Sequence, residues 1–532
     1  MASTVKTSSK TFSLRWKRLV FIVIVVSLVA PFMAAVIRDL QMLDDRNIPC
    51  CDYAVLDLNT SAFLDGEQFT GPYSRQGWYH PGPLGIGWYS IFRILPGDSF
   101  AQYQIAAITL AVLSLGFFLW QLRKHPLVVV ALSSAVLLFW STRFDWVYFL
   151  DPWNPIGAMF WVLTFLAATI TAITTLKRSF VVVSAILGGI AIQTHIGSAP
   201  TVLFSFVVLA IVFWRRRAPQ EFLRDAIWFV GTSFLVWLLP IWDFFFRTHN
   251  FLRIFTENDT PVNTTSQFGI ILKNTVQMLV LSPSPQGKWL GQASVFFPSR
   301  SLTIGQVFFF VVLMGLCINV FRQRKNYQFE FLAIVLGLSS TLLTIMFLLI
   351  SRSDYAPYVL LPIVGIGPLL WISCLSVLIQ DAFRNRKIVM IDGRSRLQKG
   401  LIVLSLILTL VFSGLAVRQI PSARSETIFA TPAEQERNEA ILSRCSEFAE
   451  GERVVFTDEF DWDQAVQIFA QLNLCADMTT YGDYAFIIGD AYREDPDNEL
   501  TVLVARAKSE IPAGWPIAVD TSQLVIAKTP RP

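Results

Sequence analysis

The sequence predicts a polytopic α-helical membrane protein with about eleven transmembrane helices, a long first outer loop, and a small α/β or α+β domain at its C-terminal end. Three observations carry that expectation. The 532 residues are 53% hydrophobic and only 15% charged, whereas a soluble chain carries about a quarter charged residues. Apolar runs of spanning length recur between residues 19 and 417. Lysine and arginine collect in alternate connections between those runs. Mean hydropathy is +0.51. The formal net charge of +4 is small, and no basic or acidic tail points to nucleic acid.

The N-terminus, 1–18, carries Lys6, Lys10, Arg15, Lys17 and Arg18 ahead of the apolar run Leu19–Val36. That run has the length of a spanning helix, and "IRDLQMLDDR" follows it without a small-residue cleavage site. An uncleaved first span is therefore expected instead of a signal peptide. With 19–38 as the first, further runs lie near 100–121, 126–141, 154–175, 179–193, 198–214, 226–246, 304–321, 329–350, 357–380 and 399–417. The runs 126–141 and 179–193 are short, and "GPLGIGWYSIFRIL" fits either a span or a helix lying along the interface.

Loop charge sets the orientation. "QLRKHP", "LKRS", "WRRRAPQEFLRD", "FRQRKNYQ" and "QDAFRNRKIVMIDGRSRLQKG" are all basic, and the intervening loops are poorer in Lys and Arg. The positive-inside rule then puts 1–18 in the cytoplasm and, after an odd number of crossings, 419–532 outside the cell membrane. Residues 19–418 form the membrane domain, with the outer loop 39–99 as its candidate catalytic part. The tail changes composition: "RVVFTDEFDWDQAVQIFAQLN", "YAFIIGD" and "TVLVARA" read as strands and helices of a small domain. Its Cys445 and Cys475 lie in an oxidising compartment, where they either pair or stay free. Cys50 and Cys51 are adjacent and seldom pair with each other, and Cys317 and Cys374 fall within spans as packing residues.

Candidate chemistry gathers in the outer loops. Residues 39–99 contain Asp44, Asp45, Asp52, Asp57, Asp65 and Glu67, followed by "GPYSRQGWYHPGPL". A loop this long suggests helices of its own on the membrane surface. Asp52 and Asp57 are five apart, about 140° around a helix, so they would not share a face. In "FDWVYFLDPWNPIG", Pro152 and Pro155 fix the chain where a helix begins, and Asp151 or Asn154 suits capping of its first amides. "QTHIGSAP" sets Gln193 and His195 at an outer helix end, and "SRSDYAPY" sets Arg352 at another.

The ordered set "CDYAVLDL", "GPYSRQGWYHPGPL", "DPWNP" and "QTHIG" resembles the GT-C superfamily of membrane glycosyltransferases. The similarity is to bacterial members related to the protein mannosyltransferase and lipid A aminoarabinose transferase group. It covers about 19–250 by motif, extends to the last span by topology alone, and leaves the tail without a counterpart. The resemblance implies a polyprenyl-phosphate sugar donor and an acceptor hydroxyl on a lipid, polysaccharide or protein. It implies Asp52 as the carboxylate beside that hydroxyl and Asp57, where the family usually has Glu, as the second acidic position. A single base opposite a phosphate leaving group predicts inversion at the anomeric carbon. Arg75, His80 and Arg352 are then candidate cations for the phosphate. The resemblance also implies that Asp151, Asn154 and His195 face the same cavity, with the acidic position binding substrate or a divalent cation.

Two other classes stay open on sequence: a transporter or flippase, and an assembly protein for envelope glycans or lipids whose tail is the active part. A transporter tends to carry repeats and ionisable residues within its spans, and these spans hold few. No phosphate-binding glycine loop occurs, and the inner loops hold no nucleotide-sugar "DxD".

Overall fold

The computed structural model describes residues 6–41, 48, 51–74, 77–96, 100–144, 151–256, 264–281, 302–350, 357–385, 391–420, 432–457, 460–480, 485–488, 492 and 501–530. The long first helix, α1 (Lys6–Leu40), starts well before its apolar run. The first loop folds back as α2 (Asp52–Leu64), a hairpin of β1 (Tyr73–Ser74) and β2 (Trp78–Tyr79), and α3 (Leu84–Ser90). A 3-10 turn, Ile91–Ile94, follows, so "GPLGIGWYSIFRIL" forms two short pieces and no span.

Seven helices then run to the middle of the chain: α4 (Ala101–Gln121), α5 (Leu127–Phe144), α6 (Asn154–Thr175), α7 (Arg178–Thr194), α8 (Ala199–Arg216), α9 (Pro219–Val236) and α10 (Leu238–Phe246). The run expected as one span at 226–246 is two helices, α9 and α10, bent by 56°. The connection after α10 is partly helical, in α11 (Asn250–Thr256) and α12 (Thr264–Leu279). The bundle closes with α13 (Ile304–Arg322), α14 (Gln328–Ile350), a 3-10 stretch at Pro357–Ile363, α15 (Ile366–Asn385) and α16 (Ile391–Gln419).

Among the described residues, eight helices are long and apolar enough to cross a membrane, or nine with the bent pair as one span. The expected eleven is reached only by adding two shorter apolar helices, Leu127–Thr142 and Arg178–Thr194. Polar contacts mark two opposite ends of the bundle. At one end Arg217 donates to the Leu176 carbonyl, Arg178 pairs with Asp225 at 2.7 Å, and His125 lies 3.4 Å from Glu330. At the other, Arg38 at the end of α1 donates to the Ile420 carbonyl beyond α16 at 3.1 Å. The core between them is aliphatic and aromatic; α6 lies at its centre, buried along its whole apolar window.

The C-terminal domain comprises α17 (Pro432–Leu442), β3 (Arg453–Phe456), α18 (Trp462–Asn473), β4 (Thr479–Thr480), α19 (Ala485–Ile488), β5 (Thr501–Ala505), β6 (Ile517–Asp520) and β7 (Val525–Lys528). Its five-stranded sheet has the order β4-β3-β5-β7-β6, parallel through the first three strands and antiparallel after them. α18 is strongly amphipathic and buries Val466, Phe469 and Ala470, as expected for a helix covering a sheet. Cys445 and Cys475 form a disulfide. Cys51 is also disulfide-bonded, which the adjacent pair Cys50–Cys51 did not suggest; its partner lies outside the described residues.

The domain is not a separate appendage. Ala54, Val55, Leu58 and Ala62 of α2 share one apolar core with Val454, Phe469 and Ile526. Tyr492 donates to the Leu58 carbonyl at 2.8 Å, and Gln467 donates to the Ile48 carbonyl at 2.8 Å. The tail therefore lies at the same end of the bundle as the loop after α1. An even number of crossings must separate the two, and the expectation of eleven spans, with α9 and α10 counted as one, meets that condition.

Candidate active site

The helix α2 lies between the C-terminal domain and the bundle and turns its two acids to different partners. Asp52, in its first turn, accepts from the Trp153 indole at 2.8 Å. Tyr53 donates to Asp151 at 3.0 Å, and the Trp153 amide donates to the other Asp151 oxygen at 2.9 Å. Asp52 and Asp151 thus converge on one corner across the Tyr53 and Trp153 side chains. Neither Asp151 nor Asn154 caps α6 as the sequence suggested; no side chain caps that helix. Pro at its start already supplies the fixed φ, Asp151 is used one step earlier, and Asn154 donates to the Thr194 carbonyl at 3.3 Å.

Asp151 is 4% exposed. Its carboxyl is pushed up to about 7, first by burial and, more weakly, by the charge of Asp52, against the hydrogen bonds from Trp153 and Tyr53. The neighbouring Tyr89 hydroxyl of α3 is buried with no partner among the described residues. Burial and then Asp151 push its pKa upward, so it stays a neutral donor.

Asp57 points elsewhere. It accepts from the Tyr103 hydroxyl of α4 at 2.6 Å and pairs with Arg93 at 3.4 Å, in a pocket that leaves it 5% exposed. These partners tie α2 to α4 and to the turn before it. Removing the acceptor of a buried charged network should cost about 3 kcal/mol. Asp57→Ala is therefore expected to lower the melting temperature markedly. Asp52→Ala should lower it much less, because the Trp153 indole it leaves is only part-buried. Thermal unfolding of the two purified variants checks this; equal losses would count against a structural role for Asp57.

The hairpin "GPYSRQGWYHPGP" packs on the α7–α8 corner. The Gly71 amide donates to the His80 carbonyl at 2.8 Å, and the His80 amide to the Pro72 carbonyl at 2.9 Å. Gly77 supplies a φ of +85° at the turn, a conformation that side chains disfavour. A Cβ on Gly71 would stand 2.9 Å from the Gly82 carbonyl and 3.0 Å from that of Gln193, so glycine permits the close approach. Asn250 clamps the outer strand by accepting from the Tyr79 amide at 2.7 Å and donating to its carbonyl at 2.8 Å.

This packing sets His80 against His195, with ring centroids 4.6 Å apart. His80 Nδ1 accepts from the Ile196 amide at 3.2 Å, and His195 Nδ1 accepts from the Gly197 amide at 3.1 Å. Both acceptors must be unprotonated, which assigns the proton of each ring to Nε2. Burial lowers both pKa values, that of His195 to about 3, and His195 adds to the lowering at His80. His80, expected from sequence as a cation, is thus held as a neutral N–H donor: two adjacent imidazoles in a buried pocket cannot both carry charge. Arg75 and Arg352 lie outside the described residues.

Tyr53, Trp153, Tyr89 and Tyr103 are the site residues that sequence reading missed. Two stood inside the quoted motifs, directly beside an acid in "CDYAV" and two residues from one in "DPWNP"; that adjacency was the available signal. No three described His, Cys, Asp or Glu residues gather as a metal site, and both carboxylates are already engaged by indole, phenol and amide donors.

Buried Asp151 with half-buried Asp52, a hairpin and neutral donors at one end of a helical bundle, beneath a small α/β domain, define a multi-pass membrane protein with a polar site at the bundle's end. The arrangement shares its fold with a solved structure. The chain is similar over its length to the crystal structure of ArnT from Cupriavidus metallidurans in the apo state, with a TM-score of 0.54 over 97% of this chain and 98% of that one, at 11% identity. No family model and no curated protein sequence matches the chain.

Proposed function

We propose that the protein is an integral membrane glycosyltransferase that moves a sugar from a polyprenyl-phosphate donor to an acceptor hydroxyl. The observation that carries this reading is the convergence of Asp52 and Asp151 on one corner beside the hairpin, in a chain with the GT-C fold. In the proposed step the acceptor oxygen attacks the anomeric carbon, its proton passes to Asp52, and the carbon–oxygen bond to phosphate breaks. The electron pair leaves on the polyprenyl phosphate. One base and one displacement invert the anomeric centre.

His80 and His195 would donate from Nε2 to phosphate oxygens, and Arg75 and Arg352 are the proposed cations. Asp57 acts as a positioning residue through Tyr103 and Arg93. On the proposed topology, eleven crossings with a cytoplasmic N-terminus, this site faces outward, where lipid-linked and not nucleotide-linked sugars are supplied. The test is transfer by the purified protein from a panel of polyprenyl-phosphate sugars, with protease access to the C-terminal domain in sealed vesicles. Transfer from at least one donor and cleavage from the outer face are expected. Absence of donor binding across the panel would favour the transporter or assembly readings.

A further inference from the structure

The strand that leads into His80 is held on its outer edge by a residue 171 positions away in the chain. The backbone groups of β2 alternate in direction. The amide and carbonyl of His80 bond Pro72 and Gly71 on the β1 side, and those of Tyr79 bond Asn250 on the other. Asn250 is 1% exposed, and its one carboxamide supplies both the acceptor and the donor that this strand edge needs.

Asn250 opens α11, and the turn before it is built on buried Asp243 of α10. Asp243 Oδ1 accepts from the Thr248 hydroxyl at 2.8 Å and from its amide at 3.3 Å. Its Oδ2 accepts from the Asn250 amide at 3.3 Å, which Thr248 Oγ1 shares at 3.2 Å. Between Thr248 and Asn250, His249 is held at a φ of +53°, and its Nδ1 donates to the Phe244 carbonyl at 2.5 Å. A side chain in that region persists only where its surroundings fix it; what is fixed here is the direction in which Asn250 leaves the turn. Two further contacts bring the same segment onto the hairpin. Arg247 donates to the Glu67 carbonyl at 3.1 Å and lies 4.2 Å from the Phe69 ring centroid, and a Cβ on Gly82 would stand 2.5 Å from Pro240 Cγ.

We propose that Asp243 and Asn250 are positioning residues for His80: the bonded chain Asp243–Thr248–Asn250–Tyr79 fixes β2, and with it the imidazole that meets the donor's phosphate. The phosphate clause rests on the transferase reading; the placement of His80 does not.

Two measurements on the full-length, detergent-purified protein test it. The first is the rate at which diethyl pyrocarbonate modifies each histidine, read by peptide mass spectrometry, with His125 at the opposite end of the bundle as internal control. Asn250→Ala should speed modification of His80 about tenfold, the scale of one lost hydrogen bond, and leave His125 unchanged. Asn250→Gln carries the same carboxamide on a longer stem and should restore part of the protection. Asp243→Asn should move His80 in the same direction by less, and combined with Asn250→Ala it should add nothing, because it acts through that residue. Where Asn250→Ala does not fold, Asn250→Gln and Asp243→Asn carry the same comparison. The second measurement is transfer from the panel of polyprenyl-phosphate sugars. Asn250→Ala should raise the donor KM about tenfold and leave kcat within about twofold, the signature of lost donor binding. Equal His80 rates in the variants and wild type, a parallel rise at His125, or effects of Asp243→Asn and Asn250→Ala that simply add, overturn the proposal. Loss of protection at His80 with an unchanged donor KM overturns its phosphate clause. If wild type transfers no sugar from any donor, the transferase reading fails, and the modification rates still decide the positioning of His80.

Discussion

Asp52→Asn is expected to reduce sugar transfer about a thousandfold, within the range for loss of a positioned general base, while the protein stays folded. The substitution keeps an oxygen to accept the Trp153 indole, so the bond at 2.8 Å survives. It removes the lone pair that takes the acceptor's proton, because an amide is not basic near neutrality. Donor binding should be unchanged, since the proposed phosphate contacts are on the hairpin and the α7–α8 corner. Transfer rates at saturating donor, with donor affinity measured separately, provide the check. Full activity in Asp52→Asn would remove it as the base and turn attention to Asp151.

The second large effect is on stability against pH. The folded-state pKa of Asp151 is raised from 3.8 to about 7. A raised acid favours folding below its unfolded value, and that contribution is lost as pH rises through about 7. The shift corresponds to about 4 kcal/mol between the acidic and alkaline limits, at about 1.4 kcal/mol per unit. Asp151→Asn mimics the neutral acid, and the Tyr53 hydroxyl can turn to accept from its amide. The variant should match wild type near pH 4 and become increasingly more stable from there to pH 8. Melting temperatures of both proteins across that range test this; parallel curves would show that Asp151 is not held neutral by burial. Asp52→Asn removes the adjacent charge and should move the wild-type transition to lower pH.

Much of the fold was legible because a bilayer imposes simple rules. A spanning helix needs a long apolar run, and its loops carry their orientation in lysine and arginine. The runs at 100–121, 154–175 and 329–350 fall on helices almost residue for residue. The 226–246 run hid a bend at Trp237, because hydropathy averages over a window and records no axis direction. "GPLGIGWYSIFRIL" was ambiguous for the related reason that apolar composition serves an interfacial piece as well as a span.

The site was legible by residue type more than by pairing. The 140° between Asp52 and Asp57 already separated their faces, and the structure gives them separate partners, Trp153 and Tyr103. The partners themselves lie 101 and 46 residues away along the chain, beyond any local pattern. His80 shows the same limit: its charge depends on His195 and on burial, and neither is encoded in "GWYHPGP".

By itself, then, the sequence determined a membrane bundle, the end where its polar chemistry collects, and the acids and histidines available there. The tertiary structure alone decided that Asp151 and not Asp57 stands with Asp52, that the two histidines meet as neutral donors, and that the C-terminal domain closes over α2. Hydropathy and helical period are local properties that a short window of residues displays in full. Pairing, burial and the ionisation they control depend on contacts across a hundred residues or more, and only the folded chain brings those together.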